Sequence, residues 1–326
     1  MWDFSIARTL AVMAQTLPYV LLRVVIYFAI TFAYIIAMGV GAGIGYALGL
    51  AGSEEFQGQA TFVGGILGFG LVGGAVYFLR EYLLYMVKAG HVAVMTELLS
   101  GQGIPGGQSQ ISYGAKIVKE RFVEANALFV LDQLIKGVVR AITGILGTIS
   151  AILPIPALQG FMRFISTIIR ISVTYVDEVI LAYNMRLRST NPWVTSRAGL
   201  ILYAQNGWIM VRNAIWLAII SWIVTIIIFL FMIAPAGAIL YYFPGEWGGY
   251  GFVAAIIFAW AFRSALLEPF GIACLMQVYF KTIEGQTPDP EWESRLTQVS
   301  DKFRKITERA KPAMGMASSH PTTSGA

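Results

Sequence analysis

The chain has 326 residues, 57% of them hydrophobic and 13% charged, with a formal charge of +5 and a mean hydropathy of +0.68. A soluble domain averages about 45–50% apolar and about 25% charged residues, so an ordinary soluble protein is excluded. A spanning helix needs roughly 20 apolar residues, and runs of that length recur without the roughly ten-residue alternation of a β-barrel.

These runs predict an all-α, polytopic helical membrane protein with about six transmembrane helices plus amphipathic and interfacial helices. A single cysteine, Cys274, excludes an internal disulfide. No Asn-x-Ser/Thr sequon and no signal peptide with a small-residue cleavage site is read. With only His91 and His320 available, no metal, haem or other cofactor is expected.

Residues 1–17 set Trp2, Phe4, Ile6, Leu10 and Met13 among polar residues and read as an interfacial amphipathic helix. Residues 18–79 form two glycine-rich transmembrane helices, separated by the loop 51–58. From Arg80 the chain turns amphipathic, and 80–140 reads as a cytoplasmic helical arm carrying the Gly/Pro loop 100–112. Residues 141–285 form a four-helix membrane region. Within it, 141–153 and 157–176 are read as two spans, with a re-entrant hairpin as the alternative. Two long spans follow at about 208–240 and 251–280. Residues 286–311 read as a cytoplasmic amphipathic helix and 312–326 as a disordered tail.

Charge placement sets the topology. The loops 51–58 and 241–250 hold Glu54, Glu55 and Glu246 but no Lys or Arg. Basic residues such as Arg8, Lys88, Lys116, Arg186, Arg197, Lys302 and Arg309 collect on the other side. The positive-inside rule therefore places both termini in the cytoplasm of an inner or plasma membrane protein. The +5 charge is read as topology, and no nucleic-acid partner is expected. Tyr241, Tyr242, Trp247 and Tyr250 fit an outer aromatic belt.

Gly41, Gly45 and Gly49 recur every four residues, as do the pairs Gly64/Gly68 and Gly70/Gly74. Each set makes a flat stripe where two helices approach closely, with packing preferred over a sliding surface or pathway. Arg263 and Glu268 stand inside the last apolar run and, five residues apart, point about 140° away from each other on a helix. They are poor partners for one another. Charges in a span face the bundle interior and mark function or pairing, and Pro269 removes a backbone hydrogen bond beside the acid. A buried acid there suits a cation site, against a purely structural ion pair. Asp177 and Glu178, with Tyr183 and Asn184, read as solvated caps near an interface or as a shared polar face. Tyr203 and Trp260 are candidate rings for a quaternary ammonium, against plain interfacial anchoring. No His-Glu-x-x-His, Gly-x-Ser-x-Gly or Walker loop occurs, so no enzymatic activity is expected.

The stretches "EANALFVLDQLIKGVVRAITGIL", "FISTIIRISVTYVDEVILAYNM", "NPWVTSRAGLILYAQNGWIMVRNAI" and "FVAAIIFAWAFRSALLEPFGIACLMQVYFKTIE" follow one another in an order that resembles the carboxy-terminal half of the choline transporter-like family. The large cysteine-rich, glycosylated extracellular loop of that family is absent. The resemblance implies movement of choline or a related amine. In that reading Glu268 is the anionic contact of a small organic cation, Arg263 its span neighbour, Glu178 and Asp177 lie near the inner mouth, and Trp260 or Tyr203 stacks. The rival expectation is a non-transporting membrane scaffold or accessory subunit of a larger complex. Membrane lipids, and a homo-oligomer or membrane-complex partner, are expected in either case.

Overall fold

The computed structural model describes residues 2–104, 106, 108–121, 130–139, 141, 175–242 and 248–318; for 72, 75–83, 121, 232–242, 248–258 and 312–318 it describes the backbone alone. The described residues are helical, with no strand among them: α1 (Ile6–Gln15), α2 (Leu17–Gly49), α3 (Glu54–Leu99), α4 (Gln110–Arg121), α5 (130–139), α6 (Val176–Arg186), α7 (Pro192–Gln205), α8 (Gly207–Tyr242), α9 (Gly248–Thr282), α10 (Pro290–Val299) and α11 (Asp301–Ser318). The proposed spans at 141–153 and 157–176 lie outside the described residues, apart from Ala141, Tyr175 and Val176, as does the belt residue Trp247. The chain divides into two units, one built from 1–16, 89–222 and 269–326, the other from 17–88 and 223–268.

The second unit is inside out relative to a soluble domain. α2 runs for 33 residues, about 50 Å at 1.5 Å per residue, enough to cross a hydrocarbon core of about 30 Å. Its buried positions are Tyr19, Val20, Arg23, Tyr27, Thr31, Ala37, Gly41, Gly45 and Gly49, mostly polar or small and largely four residues apart. Its exposed positions include Val25, Ile36, Ile44 and Leu48. Phe62, Leu67 and Leu71 on α3, and Ile226, Leu230 and Phe231 on α8, are likewise exposed. Large apolar side chains facing outward over so wide an area mark a surface meant for something other than water. Leu17–Gly49 and Gly207–Phe231 are both long and apolar enough to cross a membrane, yet only 28% and 17% of their most apolar stretches are buried within the protein.

Two of the three glycine sets, Gly41/Gly45/Gly49 and Gly64/Gly68, do what their spacing predicts. A side chain at Gly41 would overlap the Gly64 carbonyl oxygen and come within 2.8 Å of the Gly68 Cα. One at Gly45 would overlap the Ala60 carbonyl and approach the Thr61 Cα at 3.0 Å. α2 and α3 therefore touch backbone to backbone, a contact only glycine permits. Gly70 and Gly74 do not take part, since space is open where their Cβ atoms would lie. The turn between the helices is closed by Ser53, whose hydroxyl accepts the Phe56 amide at 3.2 Å, and Glu54 and Glu55 sit in the first turn of α3, where the helix dipole favours acids.

The first unit packs the ordinary way, apolar side chains inward. Ser5 caps α1 by accepting the Arg8 amide, and Thr9 meets Cys274 Sγ at 3.3 Å and Gln277 Nε2 at 2.7 Å. His91 Nε2 lies 3.0 Å from Thr16 Oγ1. Asn191 caps α7, with Pro192 in its first turn, where the missing amide costs nothing. Along α11, Phe303, Ile306 and Ala310 are fully buried, a three-to-four-residue spacing that gives the helix one apolar face.

Three expectations are corrected here. Residues 89–96 are not an amphipathic arm: they are buried on every side, because small and apolar residues surround a single hydrogen-bonded histidine. The segment 286–311 is not one helix. It breaks at Ser300, which turns extended (φ −139°) and accepts the Phe303 amide at 3.2 Å, starting α11 afresh as an N-cap. The tail is not irregular from 312 onward, since α11 continues to Ser318; residues 313–318 are Ala, Met, Ser and one Gly, compatible with helix apart from that glycine's modest cost.

Candidate functional site

The second unit buries a charge cluster drawn from three helices. Arg23 and Tyr27 lie one turn apart on α2, Lys88 is on α3 and Glu268 on α9. Arg23 is 1% exposed and Glu268 14%. The Glu268 carboxylate is engaged at both oxygens: Lys88 pairs with Oε1, and the Tyr27 hydroxyl donates to Oε2 at 3.0 Å. Arg23 Nη1 lies 3.7 Å from Oε2, an ion pair outside hydrogen-bonding distance. Tyr27 in turn packs with Leu84, Ala261 and Ala265, and its ring meets Trp260 edge-on at 6.3 Å. These apolar walls lower the dielectric around Arg23 and Glu268, while Lys88 stays partly exposed at 23%.

Glu268 is thus enclosed by two cations and a hydroxyl donor. A third cation arriving there would meet the charges of Lys88 and Arg23, which among the described side chains stand as two cations against one carboxylate. Arg263 goes elsewhere, as its direction on the helix predicts: its Nε donates to Thr225 Oγ1 at 2.8 Å. Trp260 is 48% exposed and offers an edge contact to Tyr27.

The other candidates belong to the first unit. Asp177 and Glu178 are not solvated caps, being 8% and 6% exposed. They occupy the first turn of α6, where backbone amides and the helix dipole favour acids. Lys136 reaches Asp132 at 2.8 Å and Asp177 at 3.5 Å. Burial pushes the Asp177 carboxyl above its ordinary range, and the neighbouring Asp132 adds to this, against the opposing pull of Glu178 and Lys136. Asn184 donates to the Ile180 carbonyl and to Ser196 Oγ at 2.9 and 2.8 Å, locking α6 to α7. Tyr203 is buried in a ring cluster, 6.0 Å from Tyr279, which also meets Tyr183 edge-on at 5.8 Å. The Tyr279 hydroxyl donates to the Gly199 carbonyl at 2.9 Å. This cluster is packed core, with Tyr183 edge-on and Tyr203 tilted against Tyr279.

A separate cleft of about 380 Å³ opens in the first unit beside Asp3, Arg8, Arg186, Gln277, Lys281 and Glu284. Asp3 is tied down there by Asn213 and Arg212, and the Asn213 hydrogen bond, followed by the Arg212 charge, holds its carboxyl below the usual range. No group of three metal-ligating side chains comes together among the described residues.

Sequence reasoning missed Arg23, Lys88 and Tyr27. The signal for Arg23 was present: it is the only charged residue between 19 and 50, and a lone charge in an apolar run faces the bundle interior. Tyr27, four residues on, shares its face. Lys88 could not be found this way, because it stands in a stretch already rich in polar residues. Comparison with protein-family models, with curated proteins and with solved structures found no match for this chain.

Proposed function

We propose that this chain is a multi-pass membrane protein with about six spans and both termini in the cytoplasm. We read it as a non-catalytic scaffold or accessory subunit of a membrane assembly. The observation that carries this reading is the engagement of Glu268 by Lys88, Arg23 and Tyr27. The acid that would have to receive a small organic cation already has its partners, so the cluster works as a tie between α2, α3 and α9. The outward-facing apolar residues of α2, α3 and α8 support the membrane setting, and the Lys- and Arg-free loops support the topology.

The rival reading, a choline transporter-like carrier of an amine, makes a different forecast for one assay. Protein reconstituted in liposomes is to be given labelled choline and ethanolamine, beside empty liposomes. The scaffold reading expects no uptake above the empty control. Saturable uptake that Glu268→Gln abolishes, in protein that still folds, would establish the carrier instead.

A further inference from the structure

Among the described residues of the second unit, Arg23 has the most buried nitrogens without a hydrogen-bond partner. A guanidinium has five N–H donors and no acceptor, and all three nitrogens of Arg23 are buried without a hydrogen-bond partner. Glu268, whose Oε1 meets Lys88 and Oε2 meets Tyr27, gives Arg23 an ion pair at 3.7 Å but no hydrogen bond. Among the described side chains two cations face one carboxylate, and the guanidinium finds no hydrogen-bond acceptor. Amines, metal cations and protons would worsen that imbalance. A planar fork of donors beside an ammonium is the combination that takes an oxyanion, with arginine binding two oxygens at once and lysine supplying a point charge.

We propose that Arg23 and Lys88 form a binding site for a phosphate oxyanion. Lys88 is 23% exposed and Arg23 1%, so the lysine stands at the rim and the arginine at the base. Arg23 lies six residues into α2, which begins at Leu17, or about 9 Å along the axis. Leu17, Leu21 and Val25 are exposed on the same stretch of helix. A phosphate at that depth arrives either as the headgroup of a lipid, whose chains lie along those residues, or free from the adjoining aqueous phase. Such a site is compatible with the scaffold and with a carrier, since neither reading assigns a ligand to Arg23.

The test is thermal unfolding of the full chain in a neutral detergent at pH 7.5. One arm titrates inorganic phosphate against potassium chloride of equal ionic strength. The other titrates phosphatidylglycerol against diacylglycerol in mixed micelles. Binding to the folded state raises Tm in proportion to the logarithm of ligand over Kd, so the site predicts a saturable rise of a few degrees in at least one arm. A rise with inorganic phosphate identifies free phosphate as sufficient, and a rise with phosphatidylglycerol alone identifies a lipid headgroup. Arg23→Met and, at the rim, Lys88→Gln should each lose the rise. No saturable rise in either arm, or an undiminished rise in both variants, would overturn the proposal.

Discussion

Glu268 and Arg23 stand in the same cluster but are not equivalent, and the difference can be measured. Removing the carboxylate leaves the buried Arg23 and the half-buried Lys88 facing each other, whereas removing the guanidinium leaves the neutral pair of Lys88 and Glu268. Breaking a buried pair by deleting one partner costs about 3–5 kcal/mol. Glu268→Gln is therefore expected to lower stability in detergent by an amount of that order. Arg23→Met, in buffer free of phosphate and anionic lipid, should be close to neutral. Equal losses for the two variants would mean that Arg23 has an acceptor of its own. Arg263, with a single hydrogen bond to Thr225, should cost about 1 kcal/mol when replaced by Gln.

Asp177 makes a pH prediction at the same scale. Its folded-state pKa is raised above the unfolded value, so its contribution to stability is fully present below the ordinary Asp range near 4 and is lost as pH rises through the elevated value. Asparagine mimics the protonated form. Asp177→Asn should leave stability unchanged or higher at pH 7.5 and flatten its fall between about pH 4 and neutrality. A variant that loses more at pH 7.5 than at pH 4 would show that the charged form is the one the fold needs.

At the scale of elements, the contact between α2 and α3 rests on the absence of side chains. Gly45→Leu and Gly68→Leu should each force backbones apart at a cost of about 1–3 kcal/mol. Gly43→Leu and Gly70→Leu, at positions with open space, should change melting little. Four equal melting temperatures would remove the packing role of the stripe. This contact was legible in the sequence, because a four-residue glycine repeat fixes one helical face without reference to anything distant. The divergence of Arg263 and Glu268 was legible for the same local reason. The partners of Glu268 were not: Arg23 and Tyr27 stand more than 240 residues away, and only the folded chain decides which helices meet. The burial of Asp177 and Glu178 also escaped, since acids in a first turn look alike whether water or Lys136 completes them. The break at Ser300 was hidden inside a continuous amphipathic period, where the serine's capping hydrogen bond outweighs the pattern.

On the scale of the whole molecule, the apolar exterior of the second unit and the placement of basic residues are what the proposed topology rests on. In the proposed topology the turn between α2 and α3 and the 241–250 loop are expected on the side away from the cytoplasm, and the 100–112 loop on the cytoplasmic side. Cys274 is buried and can be replaced by Ala to leave a cysteine-free background. The decisive measurement is labelling of single cysteines at Ser53, Gly248 and Ser109 with a membrane-impermeant thiol reagent, in intact cells and after lysis. Cysteines at Ser53 and Gly248 should react in intact cells, and one at Ser109 only after the membrane is broken. A Ser109 cysteine that labels from outside, or Ser53 and Gly248 cysteines that both stay protected until lysis, would contradict a membrane protein of this orientation.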